Sequence, residues 1–370
     1  MGFRQSAVEI LAVNLHFWKD KRVLVTGHTG FKGGWLSLWL TELGAQVHGY
    51  ARPPNTTPNF FDECTLRTRL ASSIMADIRD ADALSIALQS AKPEIVFHLA
   101  AQPLVRYSYA QPVETYAVNV MGTVNLLEAV RNTPSVRAVV NVTTDKCYEN
   151  HERDLPYAEM EAMGGHDPYS SSKGCSELVT AAYRRSFLTQ NNIHVATARA
   201  GNVIGGGDWA ADRLIPDFLR ALGQQQSLVI RSPHATRPWQ HVLEPVSGYM
   251  VLAEKLFTHG NQFAQAWNFG PQLQDSKSVQ WIVEHLCSHI PGSQWSLDKL
   301  PQPHEANLLT LDNTKARQQL GWQPRWGIAD ALEQTIQWHN AWRAGENLQT
   351  VTLSQIGKYS KALQEVAVTV

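Results

Sequence analysis

The chain has 370 residues, 44% of them hydrophobic, with 32 lysines plus arginines against 33 acids and a net charge of -1. That length suits two domains, or one large domain with an elaborate extension. The charge balance gives no general field for nucleic acid or a membrane surface, so an anionic ligand must be held by a local site.

Cys64, Cys147, Cys175 and Cys287 are scattered, with no CxxC pair and no histidine at metal-ligand spacing. A reduced protein without disulfides or metal follows, which suits the cytoplasm. The apolar stretch 8–13 is short, contains Glu9 and lacks a cleavage signature, so it does not read as a signal peptide. No stretch is long enough to span a bilayer. Residues 1–16 read as an N-terminal extension.

In chain order, Arg22–Thr26 is the first expected strand, followed by a helix over 33–43 and a strand over 46–51. A weak strand at 73–75 precedes a helix over 80–90 capped by Asp80, and 95–99 is the fourth strand. A helix over 115–131, a strand over 138–143, a long helix over 168–190 and a strand over 194–199 complete the alternation. Short β-branched runs alternating with helices give an α/β fold, a doubly wound parallel sheet of Rossmann type over 17–200. After Arg199 glycine, proline and aromatic residues cluster, which predicts a second, smaller α+β substrate domain over 201–345. The two interleave, because 240–270 carries a helix (244–257) and a strand (266–269) that return to the first sheet.

Between the first strand and first helix lies Thr26-Gly27-His28-Thr29-Gly30-Phe31-Lys32-Gly33. Glycines 27, 30 and 33 allow a tight turn, close approach of a pyrophosphate and close helix–sheet packing. The helix N-terminus offers unpaired N–H groups to the anion. After the second strand the chain has Arg52 where a carboxylate would grip the ribose of NAD; Arg52 suits the extra phosphate of NADP or the adenine face of NAD equally well. Asp77 and Ile78 are placed to contact adenine, with a turn cap as the alternative role for Asp77.

Tyr169 and Lys173 stand four apart on the long helix, sharing one face, so the lysine should lie near the phenol. A phenol ionises near pH ~10. A nearby cation favours the phenolate, fitting Tyr169 to take a proton from a sugar hydroxyl. Thr144, at the carboxyl end of the fifth strand, is placed to hydrogen-bond the same oxygen. Asp145 and Lys146 follow, an acid and a potential base in succession.

These segments together resemble the extended short-chain dehydrogenase/reductases over about residues 18–345. The resemblance rests on the glycine loop, His98-Leu99-Ala100-Ala101, Asn119-x-x-Gly122-Thr123 and Tyr169-x3-Lys173. Within that group the segments GHTGFKGGWLSLWL, HLAAQPLVRYSYAQP, TTDKCYEN, RAGNVIGGGDWAADRLIPD and RPWQHVLEP resemble the CDP-glucose 4,6-dehydratase family. The resemblance implies NAD as cofactor, contacted by Gly27, Thr29, Gly30, Phe31, Lys32, Gly33, Arg52, Asp77, Ile78, Leu99, Ala100, Ala101, Tyr169 and Lys173. It implies CDP-glucose as the nucleotide-diphosphate sugar and a homodimer paired through the tyrosine helix and the helix before it. The implied reaction is oxidation at C4, loss of water across C5–C6 and hydride return to C6. Asp145 would protonate the leaving hydroxyl and Lys146 would take the C5 proton. The dTDP-glucose enzymes have Asp-Glu there, and a lysine serves as a base only if burial or a cationic neighbour keeps it neutral.

For the nucleotide sugar, Asn202 in the glycine-rich loop 201–209 is suited to a diphosphate oxygen, and Arg213 and Arg237 are candidate clamps, with Arg231 a weaker third. Trp209 and Trp239 are candidates to stack on the base, or to fill a core. His98 reads as a satisfied structural histidine, and the resemblance places the loop with Pro303-His304-Glu305 near the sugar nucleotide, with no role assigned to it. Alternatives that remain open are a GDP-mannose-type dehydratase using NADP, a nucleotide-sugar 4-epimerase, and a catalytically silent dinucleotide sensor.

Overall fold

The computed structural model describes residues 14–298 and 307–365, so most of the expected N-terminal extension and the Pro303-His304-Glu305 segment lie outside the described residues. Seven strands form one sheet: β1 (Arg22–Thr26), β2 (Gln46–Ala51), β3 (Ser72–Met75), β4 (Ile95–His98), β5 (Ala138–Val142), β6 (His194–Ala200) and β7 (Ala266–Phe269). Their order is β7-β6-β5-β4-β1-β2-β3, and every pairing is parallel. β4 and β5 are buried along their whole length, as apolar strands covered on both faces must be. The order reverses between β1 and β4, which opens a crevice at their carboxyl ends.

Helix α1 (Phe31–Glu42) covers one face of the sheet with α5 (Leu243–His259), and Trp35, Leu36, Leu38 and Trp39 share a core there with Val246, Met250 and Trp267. The other face carries α2 (Ala81–Ala91), α3 (Gly122–Arg131) and α4 (Pro168–Tyr183), with Leu84, Leu88, Leu126 and Val130 in its core. α1 begins two residues before the expected Gly33, because Gly30, extended at φ -82° and ψ 169°, takes the cap position. The long helix is α-helical only to Tyr183; a wide turn (Arg184–Leu188) and a tight one (Thr189–Asn191) carry it to Asn192, whose φ of 55° ends it.

Beyond β6, the helices Leu214–Gly223 and Val279–His289 enclose a separate core of Ile215, Phe218, Leu228, Ile230, Ile282 and Leu286. This unit overhangs the carboxyl ends of the strands, so the crevice becomes a cavity. Past residue 345, where the second domain was expected to end, the helix Leu348–Glu365 packs back on α1. Tyr359 meets Trp39 edge-on at 5.9 Å and donates a 2.6 Å hydrogen bond to Glu244 Oε2.

Candidate active site

The glycine loop closes on the end of β4. Gly27 has φ +79°, and a side chain there would meet Ala100 N at 2.7 Å and Leu99 C at 2.8 Å. A Cβ on Gly33 would stand 2.1 Å from Gly27 O. On Gly30 the nearest atom would be Gly27 O at 3.4 Å, so space is kept open above the helix start. α1 has neither a side-chain cap nor an acid in its first turn. Its leading N–H groups therefore face that space, a cradle suited to a dinucleotide diphosphate.

Around this cradle, Thr29 Oγ1 donates to Arg52 O at 2.8 Å, and Arg52 itself lies mostly exposed with its guanidinium 3.4 Å from Glu114 Oε1. Asp77 is engaged as a turn cap: its carboxylate accepts from Arg79 N, Nε and Nη2 at 2.9, 3.0 and 2.6 Å. Ile78 is buried against Gly122. His98 bonds Thr26 through Nδ1 (2.8 Å) and Thr123 through Nε2 (3.3 Å), and burial lowers it to about 3, so it is a neutral structural link.

Thr144, Asp145 and Tyr169 are buried together above this floor. Thr144 Oγ1 donates to Asp145 Oδ1 at 2.9 Å. Asp145 Oδ2 is buried and has no hydrogen-bond partner among the described residues. Lys146 Nζ stands 3.9 Å from Asp145 Oδ1, its side chain about a quarter exposed (24%). The expected lysine effect on Tyr169 is not what governs it. Burial pushes the phenol up to about 12, with Thr144 and Arg213 pulling down and Asp145 and Asp167 pushing up. Lys173 Nζ donates to Val142 O at 3.1 Å, and burial lowers it to about 8.

A buried network that the sequence reading missed holds the Thr143–Thr144–Asp145 turn. The Glu177 carboxylate accepts from Thr143 Oγ1 (2.5 Å), Thr197 Oγ1 (2.7 Å) and Arg199 Nε and Nη2 (2.9 Å each). Arg199 Nη1 donates to Tyr148 Oη at 2.7 Å, and Tyr148 Oη donates to Asn268 Oδ1 at 2.7 Å. The signal was present: Tyr169, Lys173 and Glu177 repeat at four residues and share one face.

One cavity of about 290 Å³ joins Thr144, Asp145, Lys146 and Tyr169 to Asn202, Arg213 and Arg237. Arg213 is paired with Asp208 at 2.8 Å. Arg237 is buried and donates to Thr236 O and Asn307 O. Further along, Asp212 bridges Arg106 and Arg231, each at 3.2 Å. Lys32 also lines this cavity. Trp239 lines it too, largely buried and with Nε1 donating to Lys277 O at 2.9 Å, whereas Trp209 packs edge-on against Trp338 and Trp342. Among the described residues no cluster of three or more His, Cys, Asp or Glu could hold a metal ion.

Comparison with known proteins decides the kinship. The family model for GDP-mannose 4,6 dehydratase matches residues 24–335. The chain belongs to this dehydratase family. A similar member is a CDP-glucose 4,6-dehydratase of Salmonella typhimurium, 52% identical over 356 residues that cover 95% of this chain and 99% of the relative. The fold matches solved structures of nucleotide-sugar enzymes. A dTDP-glucose 4,6-dehydratase of Streptomyces venezuelae crystallised with NAD has a TM-score of 0.74 and 24% identity, covering 89% of this chain and 99% of that one. A UDP-glucuronic acid 4-epimerase of Bacillus cereus, with its sugar nucleotide and NAD, has a TM-score of 0.73 and 24% identity, covering 85% and 98%. No helix among the described residues is long and apolar enough to cross a membrane.

Proposed function

We propose that this protein is a 4,6-dehydratase that converts CDP-D-glucose to CDP-4-keto-6-deoxy-D-glucose with NAD. The observation that carries it is a buried carboxyl, Asp145, which lines one cavity with Tyr169 and Thr144 and whose Oδ2 has no hydrogen-bond partner among the described residues. The 52% identity to a CDP-glucose enzyme over nearly the full chain supports the choice of sugar nucleotide.

The Phe31 and Lys32 N–H groups and the space above Gly30 hold the dinucleotide diphosphate. NAD, when bound, supplies the two-electron oxidation at C4 and its reversal at C6, and its positive ring favours the Tyr169 phenolate. Glu114 beside Arg52 disfavours a further phosphate on the ribose, which supports NAD over NADP. Arg213, Arg237 and Asn202 clamp the sugar diphosphate in the part of the molecule formed by residues 201–345.

Tyr169 takes the C4 hydroxyl proton. Once C4 is a ketone, the C5 proton is acidic; a base removes it while Asp145 protonates the departing C6 hydroxyl, and water leaves. Thr144 then joins the two ends of the cycle. Its hydroxyl donates to Asp145 and lines the same cavity as Tyr169, so the proton gained by the phenol is returned to Asp145 by way of Thr144 and both groups are restored. Lys173 fixes the floor of the site, and Lys146 holds its ammonium beside Asp145.

The protein works as a cytoplasmic homodimer. Met121 and Leu178, exposed on the wide turn before α3 and on α4, support pairing through these helices. The test is incubation with CDP-, dTDP-, GDP- and UDP-hexoses plus NAD⁺ or NADP⁺, read by mass and by ultraviolet absorbance of the keto product. Loss of one water from CDP-glucose with NAD⁺ is expected. A product isomeric with its substrate would make the protein an epimerase instead.

A further inference from the structure

We infer that Trp338, on the helix Ile328–Arg343, is a positioning residue for Arg213, the guanidinium that clamps the sugar diphosphate. The inference rests on the proposed reading of Arg213 as a clamp. It gives the C-terminal helices a part in substrate binding, although the described residues that line the cavity end at Val279. The indole acts from behind the wall.

The link runs through Asp208 in the glycine-rich loop. Its Oδ2 accepts from Arg213 Nη1 at 2.8 Å and its Oδ1 from Ala210 N at 3.1 Å. The Asp208 side chain is 7% exposed and that of Arg213 31%, so the carboxylate is the fixed member of the pair. Where it sits decides where the guanidinium stands in the cavity, because a fork of N–H donors bonds an anion in one orientation.

Trp338 grips the chain on both sides of Asp208. On one side, a Cβ on Gly206 would stand 2.0 Å from Trp338 Cγ and 2.2 Å from Cδ2, so the indole lies directly on the Gly206 backbone. On the other, Trp209 meets the Trp338 ring edge-on at 5.6 Å. Between them Gly207 turns the chain at φ +83°, with Phe60 Cδ2 2.5 Å from where its Cβ would be, and the Phe60 ring stacks on Trp338 at 6.3 Å and 16°. From α1, Trp35 Nε1 donates to Gly206 O at 2.9 Å. The indole is itself held: it is buried, and Nε1 donates at 2.9 Å to Thr352 Oγ1, which donates in turn to Leu348 O at 2.7 Å on the last helix. Packing this close has no slack, so a smaller group at 338 shifts the loop backbone and Asp208 with it. These contacts involve neither the Gly27–Gly33 cradle nor the Thr143–Thr144–Asp145 turn, so the effect should fall on the sugar nucleotide and spare the dinucleotide.

The experiment measures dissociation constants of CDP and of NAD⁺ by titration calorimetry on the full-length protein, with kcat and KM for CDP-glucose. Trp338→Leu should weaken CDP and raise KM by about 10-fold, roughly the loss of one charge-assisted contact, with NAD⁺ affinity and kcat within about threefold of wild type. Trp338→Phe, which keeps a ring face against Gly206, should stay within about threefold for CDP. Gly206→Ala presses on the same contact from the loop side and should match Trp338→Leu; it carries the test if the leucine variant fails to fold. Arg213→Met should lose about 10-fold or more in CDP affinity, and adding Trp338→Leu or Gly206→Ala to it should change that affinity less than about twofold, because the tryptophan acts through the guanidinium. Equal weakening of CDP and NAD⁺, unchanged CDP affinity in both Trp338→Leu and Gly206→Ala, or full additivity with Arg213→Met overturns the inference and leaves Trp338 a core residue. Unchanged CDP affinity in Arg213→Met removes the clamp reading itself, a result separate from those three.

Discussion

Replacing Glu177 by leucine tests whether the catalytic turn is held by one buried ion pair. Glu177 and Arg199 are 5% and 4% exposed, and the carboxylate accepts four hydrogen bonds, two from Arg199 and one each from Thr143 and Thr197. Glu177→Leu leaves the guanidinium buried with only Tyr148 Oη and Glu159 O as acceptors. Breaking a buried pair from one side costs about 3–5 kcal/mol, and two orphaned hydroxyls place this site toward the upper end. Arg199→Met should cost a similar amount, since it strands the carboxylate. The double variant removes both charges at once and should cost only about 1–2 kcal/mol, far less than the sum. Urea titrations followed by tryptophan fluorescence and circular dichroism give the three values when the two probes coincide. A cost for Glu177→Leu below about 1 kcal/mol, or a double variant equal to the sum of the singles, would refute the reasoning. Since Thr143 adjoins Thr144 and Asp145, the single variants should also slow keto-sugar formation more than they weaken dinucleotide binding.

Three further outcomes are expected. Tyr169→Phe should bind NAD within about twofold of wild type in titration calorimetry and lose keto-sugar formation by at least ~100-fold; undiminished turnover would remove the phenol from the mechanism. Gly33→Ala drives a Cβ to 2.1 Å from Gly27 O, so it should destabilise by about 1–3 kcal/mol and weaken NAD at least ~10-fold, and an unchanged dissociation constant would show that the loop is not the cradle. Burial raises the Glu244 carboxyl from its ordinary 4.5 to about 7, against hydrogen bonds from Tyr359, Trp326 N and Arg325 N that lower it. The folded state therefore holds this proton to higher pH than the unfolded chain. The stability it contributes is complete below about 4.5 and is lost as pH rises through about 7, a change of at most about 3 kcal/mol. Glu244→Gln should flatten that dependence in thermal melts between about pH 5 and about pH 8; a wild-type curve equally steep in the variant would place the titration elsewhere.

The strands of the sheet were legible because parallel strands covered on both faces leave unbroken apolar runs, as in Ile95–His98 and Ala138–Val142. The glycine loop was legible because its positions are set by contacts only glycine permits. What sequence could not show is where long side chains go. Spacing puts Lys32 on the first turn of α1, but not whether it turns to the cradle or into the cavity. Asp77 was readable as either a ligand or a cap, and its carboxylate accepts from the backbone N–H and guanidinium of Arg79, two residues on. Trp209 packs against Trp338 and Trp342, while Trp239 joins the core of Ile215 and Phe218 and also lines the cavity, placements that no local pattern carries. The helix Leu348–Glu365 packs on α1 through contacts such as Tyr359 with Trp39, about 320 residues apart in sequence, which no local pattern carries.

The contrast between elimination and epimerisation comes down to one oxygen atom. An epimerase needs only the redox step and room for the keto sugar to turn, so nothing in that chemistry calls for an acid near C6. Here Asp145 Oδ1 is engaged by Thr144, while Oδ2 is buried without a partner among the described residues. Leaving a buried polar atom unpaired costs about 1–3 kcal/mol, and folded proteins rarely keep such atoms unless something else uses them. On the proposed reading Asp145 gives the leaving C6 hydroxyl its proton, which fits a carboxyl that lines the cavity and is engaged by the Thr144 hydroxyl through Oδ1 alone.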